Sequence, residues 1–114
     1  MRDKMPMFAE ALAAVGTLGE TLIAQERARQ AQRYTATHDD THKGGELARA
    51  AASYLWHSLT TQKTGRQCAS PPPGWPWSQL EFRPANELQT LVKAGALIAA
   101  EIDRLARTNP ELLK

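Results

Sequence analysis

Residues 60–85 constrain this chain more than any other stretch. Five of its seven prolines fall there, three of them consecutive in "SPPPGWPWSQLEFRP". Proline removes a backbone donor and fixes φ, so neither a helix interior nor a central strand can run through such a segment. A polyproline-like path is expected at Pro71–Pro73. A connection this long inside a small domain is ordinarily functional or disordered. Trp75, Trp77, Leu80 and Phe82 supply apolar area that argues against disorder. They are expected to fold back and cap a helical core, or to form an aromatic wall for a flat ligand or a partner.

The rest of the chain is therefore divided into blocks before and after this connection. At 114 residues it fits one domain with one modest core. Alanine is abundant and β-branched residues are scarce, which favours an all-α fold over sheet. The expected architecture is a bundle of three main helices, over 6–33, 44–59 and 86–107.

The first segment opens on Pro6, a favourable first helical residue. Phe8, Leu12, Val15, Leu22 and Ile23 recur at helical spacing. Gly16 and Gly19 interrupt it, and a kink or a close helix contact is expected there. The pattern runs on as an amphipathic helix rather than stopping at a cleavage site, so the N-terminus reads as mature protein in the cytosol. From Gln25 to Arg33 the text turns polar, "QERARQAQR", which reads as a solvated helix end.

In the second segment Leu47, Ala51, Tyr54, Leu55 and Ser58 make the expected core stripe, and His57 reads as a surface or partly buried structural residue. The third opens on Asn86 as N-cap with Gln89 three residues on. Leu88, Leu91, Gly95, Ile98, Ile102 and Leu105 then recur at three- and four-residue steps. Ala94, Gly95, Ala96, Ala99 and Ala100 form a slim surface for close helix approach or for a homodimer interface. Asn109-Pro110 ends that helix.

Chemistry-bearing side chains concentrate in "THDDTHKGGEL", residues 37–47. In continuous helical phase His38, His42 and Glu46 would share one face, a ligand set for zinc or a related divalent ion. Asp39 or Asp40 would orient a histidine from behind. Gly44-Gly45 opposes a continuous helix, and a Mg²⁺ site would instead draw on Asp39, Asp40 and Glu46. The plainer reading makes Asp39, Asp40 and Thr41 N-cap candidates for the second helix, with acidic residues suited to its dipole.

The net charge of +2 is spread evenly along the chain. That weakens nucleic-acid binding through Arg27, Arg29, Arg33, Lys43 and Arg49. There is no 18-residue apolar run for a membrane helix. Cys68, the single cysteine, excludes an internal disulfide and fits a reducing compartment.

Three blocks in order, "ERARQAQRYTATHDDTHKGGELARAAASYLW", "PPPGWPW" and "LVKAGALIAAEIDRLAR", resemble a family of small proteins encoded by tailed phages and prophages. The resemblance covers residues 26–107. "QRYTAT" stands where relatives often carry a Gly-Trp pair, and "LQTLVKAG" where an Arg-Asp pair often precedes the Leu-Val. The resemblance implies a phage accessory gene without fixing a chemistry. It singles out His38, Asp39, Asp40, His42, Gly45 and Glu46, then Trp75, Trp77 and Lys93. The expected function is a binding module in the host cytosol, for a host protein or a small nucleotide-like ligand, blunting host defence. A metal-dependent nucleotide hydrolase is the alternative, and nucleic-acid binding a second.

Overall fold

The computed structural model describes residues 17–114. The expected helix start at Pro6, and Phe8, Leu12, Val15 and Gly16 with it, lie outside the described residues. Within them the chain is all-α, with helices α1 (Leu18–Arg33), α2 (Ala36–Asp40), α3 (Glu46–Thr64) and α4 (Glu87–Thr108). Single 3-10 turns occupy Gln79–Glu81 and Pro110–Leu113. No helix among the described residues is long and apolar enough to cross a membrane.

Local chemistry sets the helix boundaries. Thr17 opens α1 with a reciprocal cap: Glu20 N–H donates to its hydroxyl at 3.3 Å, and Thr17 N–H donates to the Glu20 carboxylate at 2.9 Å. Thr35 caps α2 by accepting from His38 N–H at 3.2 Å. Asn86 caps α4 as expected, accepting from Gln89 N–H at 2.8 Å.

Helix α3 departs from expectation at both ends. Its first cap is Gly45, in the left-handed region at φ +83°, with no side-chain cap. Only glycine adopts that backbone without a Cβ penalty. Asp39 and Asp40 therefore do not cap α3; they belong to the separate helix α2, which replaces the expected loop. At the other end α3 runs to Thr64, five residues past the expected Leu59, and stops at left-handed Gly65, whose N–H donates to Thr61 at 2.8 Å.

Packing is organised around α4, which lies along α3 and, on another side, along α1. The tightest approach is at Gly95, where an added Cβ would sit 2.6 Å from Ile23 Cδ1 and 2.9 Å from its Cγ1. On α4 the buried residues are Thr90, Ala94, Ala96, Ala100 and Arg104. The expected stripe of Leu88, Leu91, Ile98 and Ile102 is instead about half exposed. The neighbours chose the alanine face because small side chains let helix axes approach, and this left the larger residues outside. The alanine surface offered for a dimer is thus filled within the chain. Leu55 of α3 is likewise exposed.

The apolar cluster joins α3, the connection and α4: Tyr54, Phe82 and Ala94, with Trp75 and Leu97 packed against them. Phe82 is 5 % exposed and stacks on Tyr54 at 5.2 Å. The expected capping is present for Trp75 and Phe82, whereas Trp77 packs on Trp75 and His42 outside that cluster, and Leu80 points out at 85 % exposure. The 3-10 turn at Gln79–Glu81 carries it away from the core.

Polar groups fasten the connection. His57 is fully buried, not at the surface, and its Nε2 meets the backbone of Cys68, 3.0 Å from the carbonyl oxygen and 3.2 Å from the nitrogen. Ser58 donates to the Glu87 carbonyl at 2.8 Å. Thr90 accepts from Ala85 N–H at 2.8 Å and donates to its carbonyl at 3.1 Å. Buried hydroxyls paired in this way avoid the desolvation cost of an unmade bond.

Gly95→Ala should lower stability by about 1 kcal/mol, because overpacking against Ile23 outweighs the helix-propensity gain of roughly 1 kcal/mol. In an Ile23→Ala background the same change should become stabilising. Urea midpoints of the four chains decide it; a stabilising Gly95→Ala in the wild-type background would show that α1 and α4 are not in contact there.

Candidate functional site: an aromatic and cationic cleft

Five short segments, distant in sequence, enclose a cleft of about 380 Å³. α1 gives Glu26, Arg29 and Arg33; α2 and the turn after it give His38, Asp39 and His42. The connection contributes Trp75, Trp77 and Arg83, and α4 contributes Lys93.

One wall is a continuous rank of rings. Tyr34 stacks on His38 at 4.9 Å, and His38 meets His42 edge-on at 5.0 Å. His42 lies 5.3 Å from Trp77, and Trp77 lies 5.4 Å from Trp75, nearly perpendicular to it. Trp75 then contacts Phe82 at 4.9 Å and Tyr54 at 5.4 Å. Such edge-to-face pairs suit the ring quadrupoles. Their faces are turned by local structure: the one-turn α2 sets His38 against Tyr34, and Trp75 Nε1 donates to the Ser78 carbonyl at 2.9 Å.

The rest of the lining is charged. Five cations, Arg27, Arg29, Arg33, Arg83 and Lys93, face three carboxylates, Glu26, Asp39 and Glu81. Arg29 binds Glu26 through two bonds, at 2.6 and 2.9 Å. That pairing, ahead of every other cause, holds the Glu26 carboxyl below the usual range and raises the Arg29 guanidinium. Arg27 bridges Asp39 at 3.5 Å and Asp103 at 3.4 Å. Among the described residues, Arg33, Arg83 and Lys93 have no carboxylate partner within ion-pair distance.

Lys93 is the deepest of these three. Its ammonium donates to the Arg83 carbonyl and stands 5.8 Å from the Tyr54 ring centroid. Burial pushes its pKa below the ordinary lysine value, and Arg29 and Arg83 push the same way against Glu26. Arg83 N–H donates to Tyr54 Oη at 3.0 Å, so the lysine rests on a fixed platform. Burial also raises the Tyr54 phenol.

Of the residues singled out from sequence, the fold brings His38, Asp39, His42, Trp75, Trp77 and Lys93 together. Asp40 leaves the group to pair with Arg107 at 2.7 Å, which ties α2 to α4. Glu46 turns to its own turn, accepting from Gly44 N–H at 2.7 Å. Hydrogen bonds from its own backbone and from Gly44 hold its carboxyl below the usual range. The proposed metal face of His38, His42 and Glu46 does not form, because α2 ends at Asp40 and the chain passes through left-handed Gly45 before α3 starts at Glu46. Among the described residues no group of three His, Cys, Asp or Glu side chains is placed to hold a metal ion. Glu101 of α4 is likewise engaged, with Arg104 at 2.8 Å.

Sequence reading missed Glu26, Tyr34 and Arg83 as cleft residues, and offered Arg27, Arg29 and Arg33 only as nucleic-acid contacts. It took "QERARQAQR" for a solvated end. The one-turn spacing of Arg29 and Arg33 was a signal for a shared cationic face, but only the fold shows what that face meets. Comparison with known protein families, curated proteins and solved structures gives no match.

Glu26→Gln tests the electrostatics. Since Glu26 titrates lower folded than unfolded, its contribution is complete above its unfolded pKa near 4.5 and fades as pH falls through the folded value. The variant should therefore lose part of the stability decline below pH 4.5 that is expected of the wild-type chain. Thermal melts across acidic pH that superimpose would show the Glu26–Arg29 pair to be without effect.

Proposed function

We propose that the chain is a binding protein whose cleft takes a small, flat, anionic ligand of nucleotide-like chemistry. The observation that carries this reading is the meeting of a ring wall with three cations, Arg33, Arg83 and Lys93, that have no carboxylate within ion-pair distance among the described residues, in one concavity. Its volume of about 380 Å³ lies in the range of small-molecule sites. Aromatic faces stack on a planar base at roughly 1–3 kcal/mol per base. Guanidinium groups pair with phosphate oxygens through a fixed fork, and an ammonium adds a point charge. A concave site fits a small ligand better than the flat face of a host protein.

The same reading weakens the nucleic-acid alternative. Arg27 and Arg29 are already paired inside the cleft, so "QERARQAQR" is no free basic arm. The resemblance to phage and prophage proteins supplies the setting: an accessory protein in the host cytosol that withdraws a nucleotide-like ligand and so blunts host defence. That setting is proposed along with the ligand class.

Titration of tryptophan fluorescence and heat with a panel of nucleosides and nucleotides tests the proposal. Saturable binding is expected from phosphorylated members, with at least tenfold weaker binding by the matched nucleosides. Trp77→Ala should cost about tenfold in affinity through lost stacking. Arg33→Ala and Lys93→Met should cost a similar factor and remove the preference for phosphate. Affinity should also fall as pH rises toward the ordinary lysine value of 10.5, beginning below it because Lys93 loses its proton early. Absence of any saturable signal up to about 1 mM, the weakest affinity worth assigning here, would remove the reading.

A further inference from the structure

The cations of the cleft are not gathered at one point. Glu26, Arg29, Gln30 and Arg33 of α1 line it at helical steps of three and four. α1 therefore runs along the cleft, and Glu26 and Arg33 lie about 10 Å apart on its axis at 1.5 Å per residue. Lys93 belongs to the Glu26 end. Its ammonium stands 5.8 Å from the Tyr54 ring centroid and donates to the Arg83 carbonyl, and Glu26 is close enough to act on its charge. Arg33 belongs to the other end, its guanidinium carbon 5.5 Å from the Tyr34 ring centroid.

The ring wall gives the same order independently. Tyr34, His38, His42, Trp77, Trp75 and Tyr54 follow one another at centroid distances of 4.9, 5.0, 5.3, 5.4 and 5.4 Å. Arg33 stands by the first ring of that series and Lys93 by the last. Helix α4 separates the two ends as well: Lys93 lies in its first half, whereas Arg107 in its last turn binds Asp40 of α2, the helix that carries His38. At intermediate positions on α1 the positive charge is met in pairs, Arg27 by Asp39 at 3.5 Å and Arg29 by Glu26 at 2.6 Å.

A phosphoryl oxygen accepts from a guanidinium or an ammonium at about 2.7–2.9 Å. One phosphoryl group thus serves one end of the cleft, and its attraction to a cation roughly 10 Å away is weakened by salt over a Debye length. A ligand with all its charge at one point leaves an uncharged end against the second cation. Resting on the nucleotide-like reading of the cleft, we infer that its ligand is a nucleotide with two separated phosphoryl groups. Arg33 holds one, Lys93 and Arg83 hold the other, and the base lies against the rings between them. That chemistry has two sources: phosphoryl groups on the 3′ and 5′ sides of one ribose, or on successive units of a dinucleotide.

Calorimetric titration of the full wild-type chain with four adenine probes tests this, and the comparison needs no variant to fold. The probes are adenosine 5′-monophosphate, adenosine 5′-diphosphate, adenosine 3′,5′-bisphosphate and the 5′-phosphorylated adenylate dinucleotide. The diphosphate carries as many phosphoryl groups as the two split probes, so their placement is the variable. At least one split probe should bind about tenfold tighter than the diphosphate, the gain from one further charged hydrogen-bonded group, and the tighter of the two names the source. Arg33→Ala and Lys93→Met should each abolish that gain with helix content unchanged by circular dichroism. A diphosphate that binds as tightly as both split probes overturns the inference and leaves the proposed function standing. A split-probe advantage that survives both substitutions also overturns it, because the two ends would not be Arg33 and Lys93. If no phosphorylated probe binds, the proposed function and the inference fall together.

Discussion

The stacking of Phe82 on Tyr54, locked by the bond from Arg83 N–H to the Tyr54 hydroxyl, is the contact on which the remaining structure depends. It attaches a proline-rich connection with almost no regular hydrogen bonding of its own to the middle of α3. Without it Trp75 would have no partner at 4.9 Å and the ring wall no anchor. The same contact sets Arg83, and Arg83 holds Lys93 through its carbonyl. Core and cleft are thus two sides of one cluster, and a substitution that loosens the core also moves the cations.

The helices themselves meet through very little side-chain volume. Alanines on α3 and α4, and glycine 95 against Ile23, allow close axes but bury modest apolar area per residue. Aromatic rings from the connection supply much of the remainder, and the Leu and Ile residues excluded from the alanine contact stay on the outer face. The exposed seam and the aromatic cleft therefore have a common origin: a slim helical layer that needs covering on both faces. The connection covers one face incompletely.

Much of this was legible in the sequence. The all-α class, the Asn86 cap and the inward folding of Trp75 and Phe82 follow from composition, capping chemistry and proline placement. The clustering of His38, Asp39 and His42 in one stretch marked them as candidates, and the resemblance added Lys93; the fold lines one cleft with all four. Other features were not legible, for specific reasons. Periodicity located the apolar stripe on α4 but not which face the neighbours would take, and the alanine side won on distance of approach. Gly44-Gly45 signalled a break without its direction, so the fate of Glu46 stayed open. The partners of Arg27 and Arg29 are set by how α1 lies against α2 and α4.

By itself the sequence determined the all-α class, the two ends of α4 and the stretch between Pro71 and Pro84 where no α-helix can run, since caps and prolines act within a few residues of themselves. Tertiary structure alone decided that a polar helix end, a one-turn helix, a tryptophan pair and a lysine should share one cleft. Those contacts join residues as far apart as Glu26 and Lys93, and their geometry depends on the packing of whole helices rather than on any local preference.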